Sequence, residues 1–424
     1  MSNAGNTAPA VAAGAQFDVP GVPNSTQFFD QYEDTVDLGF TPSVSNSKQI
    51  LNIANMRRTD VVFSWQYNFS FTDVAYTEGG GVATASDYFP YNLIGSVELQ
   101  MANQYAPISV ESGIDWYIFN QVRPVRKTAA SQATINYSNP LGDGVGAPHT
   151  GYLYSGTPQA NLVAPAQLTA VPTAATTINL VLDLPGSVFF DEYYSLDPTG
   201  NLLGAAPDAI VSPQYMAGVA RLVAPTIKTN SLLGSTLDEA PVVVVGGTGV
   251  TAAATGSLSI RRRGCYNNSN AATLPPLYPW QYQQQTTRLS INGTSKVSVQ
   301  VPDNAGQVTF MYLRLYDPSA NSGIGGAIDA SALSRITVLY GSGLTWFDGT
   351  PLELQALWLQ THNFLLPNGV YPIELGIDEL GTFSNKRALN TLTTGGISWV
   401  LQFNSPTSST AYAVLGIESL TYVV

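Results

Sequence analysis

The chain has 424 residues, of which 44% are hydrophobic and only 11% are charged, against about a quarter in a typical soluble domain. Its net charge of −12 argues against nucleic-acid binding by the body of the protein. One cysteine, Cys265, excludes an internal disulfide framework and a cysteine-based zinc site. Two histidines give no convincing triad or metal cluster, and no spacing singles out a carboxylate pair. We therefore predict no catalytic, cofactor-binding or metal-binding residue and no enzyme.

The low charge also bears on the surface of the protein. Glycine and proline number 38 and 27, which favours short strands and long loops over exposed helices. A surface so poor in charge is either filled with Ser, Thr, Asn and Gln or covered by neighbouring molecules. The sequence alone leaves these two explanations open.

Residues 1–47 are rich in Ala, Gly, Pro, Ser and Asn and are predicted to form an N-terminal arm with little structure of its own. Such an arm is either disordered or ordered only by docking on a partner. Its start has neither the basic residues nor the apolar core of a signal peptide, and no stretch of the chain reaches the roughly 18 apolar residues of a membrane span. We expect synthesis and folding in a reducing cytoplasm.

The stretch "RTDVVFSWQYNFSFTD", residues 58–73, alternates large apolar side chains with small polar ones. Side chains of a strand alternate between its two faces, so this pattern predicts a β-strand with one apolar face. The apolar positions are Val61, Phe63, Trp65, Tyr67, Phe69 and Phe71. A single strand cannot bury them, so the stripe requires a second sheet packed against it.

Two short capped helices follow strands at similar distances. In "ESGIDWYIFNQ", Ser112 is a cap with Asp115 three residues later, and in "DGTPLELQALWLQTH", Thr350 and Glu353 form a capping box. The strands "GSVELQM" and "SRITVLY" precede them by fifteen and fourteen residues. The recurrence, about 240 residues apart, predicts a duplicated β-domain, with chance as the alternative.

The predicted halves are 48–266 and 286–424, joined by a Pro-rich linker over 267–285. After the linker, Asn292-Gly293 suggests a hairpin whose loop has three or five residues, because only these lengths keep the apolar odd positions on one face. Long segments such as 128–175 are expected to leave the ends of the sandwiches as loops.

"VVVVGGTGVTAA" resembles a dinucleotide-binding fingerprint but lacks the helix and acidic residue that this fingerprint needs. We interpret it as a tight turn between strands.

Arg261, Arg262 and Arg263 form a basic cluster on an acidic chain and are the candidate assembly contact. They are either a solvated strand end or a contact with an acidic neighbour, anionic lipid or nucleic acid. The basic residues that could extend the cluster are Arg57, Arg58, Arg123, Arg126 and Lys127.

The profile resembles the double jelly-roll major capsid proteins of tailless, membrane-containing double-stranded DNA phages of the tectivirus type, relatives in fold of adenovirus hexon. The segments that carry the resemblance are "LIGSVELQMANQYAPISVESGIDWYIF" and "LWLQTHNFLLPNGVYPIEL". In the second, residues 366–371 are similar to the helix, Pro-x-Gly-Val-Tyr turn and strand of that family.

The resemblance implies an all-β fold with two tandem eight-stranded jelly rolls, short helices and long loops. It implies a homotrimer that forms a pseudo-hexagonal capsomer in a virion capsid and is made in the host cytoplasm. Its expected partners are neighbouring capsomers and vertex (penton) and minor capsid proteins, with the arm near an internal membrane, no cofactor and no sequence-specific nucleic acid. The alternative function is a β-sandwich adhesin or carbohydrate-binding surface protein, in which 22 tyrosines and six tryptophans supply stacking platforms.

Overall fold

The fold is described over most of the two predicted halves. The computed structural model describes residues 28–44, 49–51, 61–99, 108–122, 171–185, 195–196, 202–203, 226–233, 240–267, 280–302, 305–323, 325–341, 343–362, 366–375, 389–391 and 396–422. Within these residues the helices are α1 (Gly113–Val122), α2 (Ala320–Gly323) and α3 (Pro351–His362). None of them has the length and apolar character needed to cross a bilayer.

The strands of the first half are β1 (Phe28–Phe40), β2 (Gln49–Leu51), β3 (Val61–Thr77), β4 (Val82–Ala85), β5 (Ile94–Leu99), β6 (Ile108–Val110), β7 (Thr176–Pro185), β8 (Ser195–Leu196), β9 (Leu202–Leu203), β10 (Thr226–Thr229), β11 (Val242–Val245) and β12 (Thr251–Asn267). Those of the second half are β13 (Trp280–Ser290), β14 (Lys296–Gln300), β15 (Gln307–Asp317), β16 (Gly326–Ala327), β17 (Leu333–Tyr340), β18 (Leu344–Gly349), β19 (Val370–Glu374), β20 (Leu389–Asn390), β21 (Ile397–Phe403) and β22 (Tyr412–Tyr422).

The second half is a jelly roll. Its strands pair antiparallel as a nested set, β13 with β22, β14 with β21, β15 with β19 and β17 with β18. The pairs form two four-stranded layers, β13-β22-β15-β19 and β14-β21-β17-β18. A long hairpin that folds over onto itself produces this nesting.

The first half repeats the nested pairing. There β3 pairs with β12, β4 with β11 and β5 with β10, all antiparallel. The two layers are β1-β12-β3-β7 and β6-β5-β10-β2. In both halves the longer helix comes, along the chain, between the two strands of the third pair. Helix α1 follows β5 and precedes β10, and α3 follows β15 and precedes β19. The nested pairing agrees with the predicted duplication, although the first and third pairs share a sheet in the second half and lie in different sheets in the first.

One sheet continues from the first half into the second. Its order is β16-β15-β22-β13-β6-β5-β10-β2, with β19 and β20 also paired to β15. The two halves meet where β13 runs parallel to β6, with Gln284 opposite Ile108 and Gln285 opposite Ser109. The halves therefore stand side by side on a common layer, each with its own hydrophobic core.

Strand β15 contributes to both cores. Phe310, Tyr312 and Tyr316 belong to the core of the first half, and Met311, Leu313 and Leu315 belong to that of the second. A strand buried on both faces has a nearly continuous apolar sequence rather than an alternating one, and "VTFMYLRLY" has this character. The face of β15 that points away from its own sandwich is thus packed against the first half.

The stripe of residues 61–71 lies on β3. Tyr67, Phe69 and Phe71 are buried in the first core, as the alternation predicts, while the side chains of residues 61–66 lie outside the described residues. The "VVVVGGTGVTAA" stretch is a turn between β11 and β12, with Gly246 and Gly249 at φ values of 77° and 100°. The interpretation of this stretch as a turn is confirmed.

Two boundaries differ from the sequence prediction. Residues 28–40, assigned to an arm with little structure of its own, form β1, which pairs along β12 of the same chain. Residues 280–285, assigned to the linker, form the start of β13 and pair with β22. In β1, Val36, Leu38 and Phe40 alternate with polar residues and glycine, and Leu38 and Phe40 pack against the first core, so a strand signal was present but was overlooked beside the arm-like composition of residues 1–47.

The hairpin predicted at Asn292-Gly293 is wrong. Strand β13 pairs with β22 and β6, whereas β14 pairs with β21 in the opposite layer, so the turn carries the chain across the sandwich. Leu289 and Val299 nevertheless contact the same core, because both layers face it. The prediction that the odd-numbered apolar residues on both sides of the turn face one core was correct. This arrangement is compatible with a turn that joins two facing sheets as well as with a hairpin within one sheet.

Candidate functional site

The joint between the two halves is the most distinctive polar site in the described structure. Helix α1 lies in this joint, with Trp116 packed edge-on against Tyr67 of β3 at 5.2 Å between ring centroids. On its other side, Phe119 packs against Tyr312 of β15 at 5.4 Å. Residues 112–120 of the helix region are all buried. A helix that is apolar all round is expected only where it has neighbours on every side.

The predicted cap of α1 is present, and the carboxylate of Asp115, which takes part in it, has a second role. The backbone N–H of Asp115 donates to Ser112 Oγ at 3.4 Å, and Ser112 Oγ donates to Asp115 Oδ2 at 2.7 Å. The Asp115 carboxylate points into the joint and accepts hydrogen bonds from the second half. The residue therefore connects the start of a first-half helix to a second-half strand.

Arg314 of β15 is the partner of Asp115. Its Nε donates to Asp115 Oδ1 and one Nη to Asp115 Oδ2, both at 2.8 Å, and Tyr312 donates its hydroxyl to Oδ1 at 2.8 Å. The ion pair is almost fully buried, with side-chain exposures of 1% for Arg314 and 0% for Asp115. The guanidinium carbon also lies 5.1 Å from the centroid of the Tyr88 ring. This is a bidentate, charge-assisted contact that fixes the relative position of the halves.

Electrostatics keep these groups in fixed protonation states. Burial by itself would lower the pKa of Arg314, but the charge and hydrogen bonds of Asp115 raise it well above the usual arginine value. Burial, reinforced by the charge of Asp115, raises the pKa of Tyr312 well above 10.0. The arginine therefore stays charged, and the phenol keeps the proton that it donates.

Aromatic side chains surround the ion pair and extend to α3. Phe310 packs against Phe119 and against Trp358 of α3, with centroids 6.4 and 5.9 Å apart. Leu354 of the same helix belongs to the second core, whereas Trp358 belongs to the first. Helix α3 thus lies across the edge of the shared sheet where the two cores approach each other. Its capping box is confirmed, because the Thr350 N–H donates to a carboxylate oxygen of Glu353 at 2.6 Å.

The predicted arginine cluster lies elsewhere, in the outer layer of the first half. Arg261, Arg262 and Arg263 are consecutive residues of β12, opposite residues 35, 34 and 33 of β1 in the antiparallel register. Positions 33 and 34 are acidic, which places opposite charges at matching positions of one sheet. The Arg261 side chain is exposed, and the basic residues proposed to extend the cluster lie outside the described residues.

Sequence reasoning missed the Asp115–Arg314 pair, because the two residues are 199 positions apart. The signal was nonetheless visible in the sequence. Each is a charged residue embedded in an apolar run, "GIDWYIF" and "FMYLRLY". Charged residues are almost never fully buried unless they are paired, so two such residues could have been matched to each other.

Comparisons with known proteins identify the fold. No family model and no curated protein matches the sequence. Among solved structures, the chain is similar to the STIV MCP, with a TM-score of 0.55 and 11% identity over 93% of this chain and 97% of that one. It is also similar to a chain of Sulfolobus Turreted Icosahedral Virus, with a TM-score of 0.53 and 13% identity over 93% and 91%. The chain has the double jelly-roll fold of viral major capsid proteins.

Proposed function

We propose that this chain is the structural major capsid protein of an icosahedral virion, and that three copies form a pseudo-hexagonal capsomer. The observation that carries the proposal is the pair of nested sandwiches standing side by side on one continuous sheet. Three such chains place six sandwiches around a threefold axis. The outline approximates a hexagon, which can tile a flat facet although the symmetry is only threefold.

The buried joint supports this function mechanically. A tile in a shell must keep its two sandwiches at one angle, and the halves of this chain are fixed by the Asp115–Arg314 pair within an aromatic cluster. A flexible tether between two domains would instead permit relative motion. The protein acts as a rigid structural unit rather than as a catalyst.

The remaining partners follow from the same proposal. Residues 1–27 precede β1, and we assign to this segment the contact with neighbouring capsomers or an internal membrane. Vertex and minor capsid proteins contact the rim of the capsomer, and Arg261, Arg262 and Arg263 remain the candidate contact there. Deletion of residues 1–27, which spares β1, should leave trimers intact and impair shell assembly.

The alternative function, an adhesin or carbohydrate-binding protein, requires exposed aromatic platforms. Among the tryptophans whose side chains the structure describes, Trp116, Trp358 and Trp399 are buried, and Trp346 is exposed. The tryptophans that the structure describes therefore serve mainly the cores and the joint. This distribution favours the capsid function.

The decisive experiment measures mass and shape together. Light scattering on the purified full chain should give a trimer of about 135 kDa, three times the chain mass of 45.0 kDa. Negative-stain electron microscopy should show particles with a pseudo-hexagonal outline. A monomer at micromolar concentration would contradict the proposal, and binding on a glycan array would favour the alternative.

A further inference from the structure

The exposed large hydrophobic side chains of the second half are concentrated on one segment. Across the described residues the side chains of this kind are Val44, Ile50, Val82, Leu344, Trp346, Leu352 and Leu357. The last four belong to β18 and α3, which are separated by Thr350 alone. We call them the β18–α3 surface. Scattered apolar side chains need no explanation, but a concentration of them marks a contact site.

Helix α3 has an unusual outward face for a surface helix. Leu352, Ala356 and Leu357 are exposed, with exposures of 66% for Leu352 and 51% for Leu357. A solvated helix normally presents charged residues there. Glu353 is the charged residue on this face, and its carboxylate already accepts the Thr350 N–H at the helix start. This face is therefore suited to burial.

The charges of β18 are also matched within the chain. The Asp348 carboxylate accepts hydrogen bonds from Arg335 Nε at 2.6 Å and from Thr337 Oγ1 at 2.9 Å, and it forms an ion pair with Arg335. On a chain with a net charge of −12, two copies repel each other unless they meet where acidic groups are already paired. The β18–α3 surface meets this condition.

The location of the surface favours a second copy of the chain as its occupant. Helix α3 contacts β19, which pairs with β15 at the second-half end of the shared sheet. Trp358 on its inner side faces the first core, whereas Leu352 and Leu357 are exposed on the opposite side. Ile50, which is 52% exposed, lies on β2, the strand at the first-half flank. A closed ring of identical chains needs two different surfaces on each chain, one for each neighbour. The two flanks supply such a pair.

The contact is made by side chains rather than by added strands. Trp346 occupies a bulge in β18, because the register with β17 shifts between Val338 and Leu339. Bulges on edge strands prevent the pairing of a further strand. We therefore propose that the β18–α3 surface of one copy packs against the β2 flank of the next, with Trp346 and Leu352 as apolar anchors. This inference rests on the proposed capsomer and names the contact that builds it.

The test uses the full chain with Trp346→Glu and Leu352→Glu combined, and measures association by sedimentation. Exposed side chains of this kind contribute little to folding, so the melting temperature should remain near that of wild type. We expect association at least about thirtyfold weaker, which corresponds to about 2 kcal/mol, the threshold of an interface hot spot. Ile50→Glu should weaken association in the same direction.

Val82→Glu is the matched control, because Val82 is 55% exposed on β4, which pairs with β11 and is not a strand of the shared sheet. It should associate like wild type. The inference is overturned if the Trp346/Leu352 variant forms trimers as strongly as wild type does, or if Val82→Glu weakens association as much as that variant does. In either case the proposed trimeric capsomer is unaffected. Wild-type protein that never trimerises overturns the proposed function itself. If only Ile50→Glu has no effect, the assignment of the opposing flank is wrong.

Discussion

Replacing Asp115 with asparagine tests the buried joint most directly. The substitution preserves shape but removes the negative charge that faces Arg314, whose side chain is 1% exposed. Arg314 then faces a neutral amide in place of the carboxylate, beside Ser112 Oγ at 3.5 Å and the ring of Tyr88. Breaking a buried ion pair by removing one partner costs about 3–5 kcal/mol. This is a large part of the roughly 5–15 kcal/mol that typically stabilises a protein.

The free energy of unfolding should be measured by urea denaturation of Asp115→Asn and of Asp348→Asn as the matched control. Asp348 forms the same kind of pair with Arg335, but in solvent, and its loss should hardly move the midpoint. The double variant Asp115→Leu with Arg314→Met should be more stable than Asp115→Asn, because no unpaired charge remains. Equal midpoints for the two asparagine variants would refute the reasoning that burial makes the Asp115 pair essential.

Three further predictions concern single sites. A β-carbon at Gly416 would lie 2.0 Å from the Tyr312 ring, so Gly416→Ala should lower the free energy of unfolding by about 1–3 kcal/mol in urea titration, and no change would contradict this packing. Thr350→Ala removes the cap that pairs with Glu353 and should cost about 0.5–2 kcal/mol, whereas Thr350→Ser should retain most of the stability. Burial tends to raise the pKa of Asp317, but hydrogen bonds from Ser408 and neighbouring groups lower it below 3.8, so its stabilising effect is present above that pH. The stability difference between wild type and Asp317→Asn should therefore shrink as pH falls below 3.8, and a difference that grows would contradict this sign.

Local patterns predicted the parts of the fold that local physics controls. The alternation around Phe69 identified a buried strand, and the capping residues Ser112 and Thr350 identified both longer helices within a residue of their starts. These signals arise from side-chain periodicity and from hydrogen bonds between residues close in sequence, so a single sequence contains them.

Contacts between residues far apart in the chain could not be predicted from these local patterns. Asp115 was interpreted as a cap, although its carboxylate also binds a strand of the other half. The turn at Gly293 has the residues of a hairpin, but a tight turn between two strands does not tell whether they lie in one sheet or two. Strand β1 was missed although Val36, Leu38 and Phe40 alternate with polar residues and glycine, and the sequence did not reveal that it pairs with the distant strand β12.

The distance of 199 residues between Asp115 and Arg314 also matters while the chain is being made. A ribosome that adds about 5–20 residues per second needs roughly 10–40 s to supply the arginine after the aspartate. During that interval Asp115 of α1 has already been made, but Arg314, its partner in the ion pair, has not. The joint between the halves can therefore close only after synthesis has passed β15.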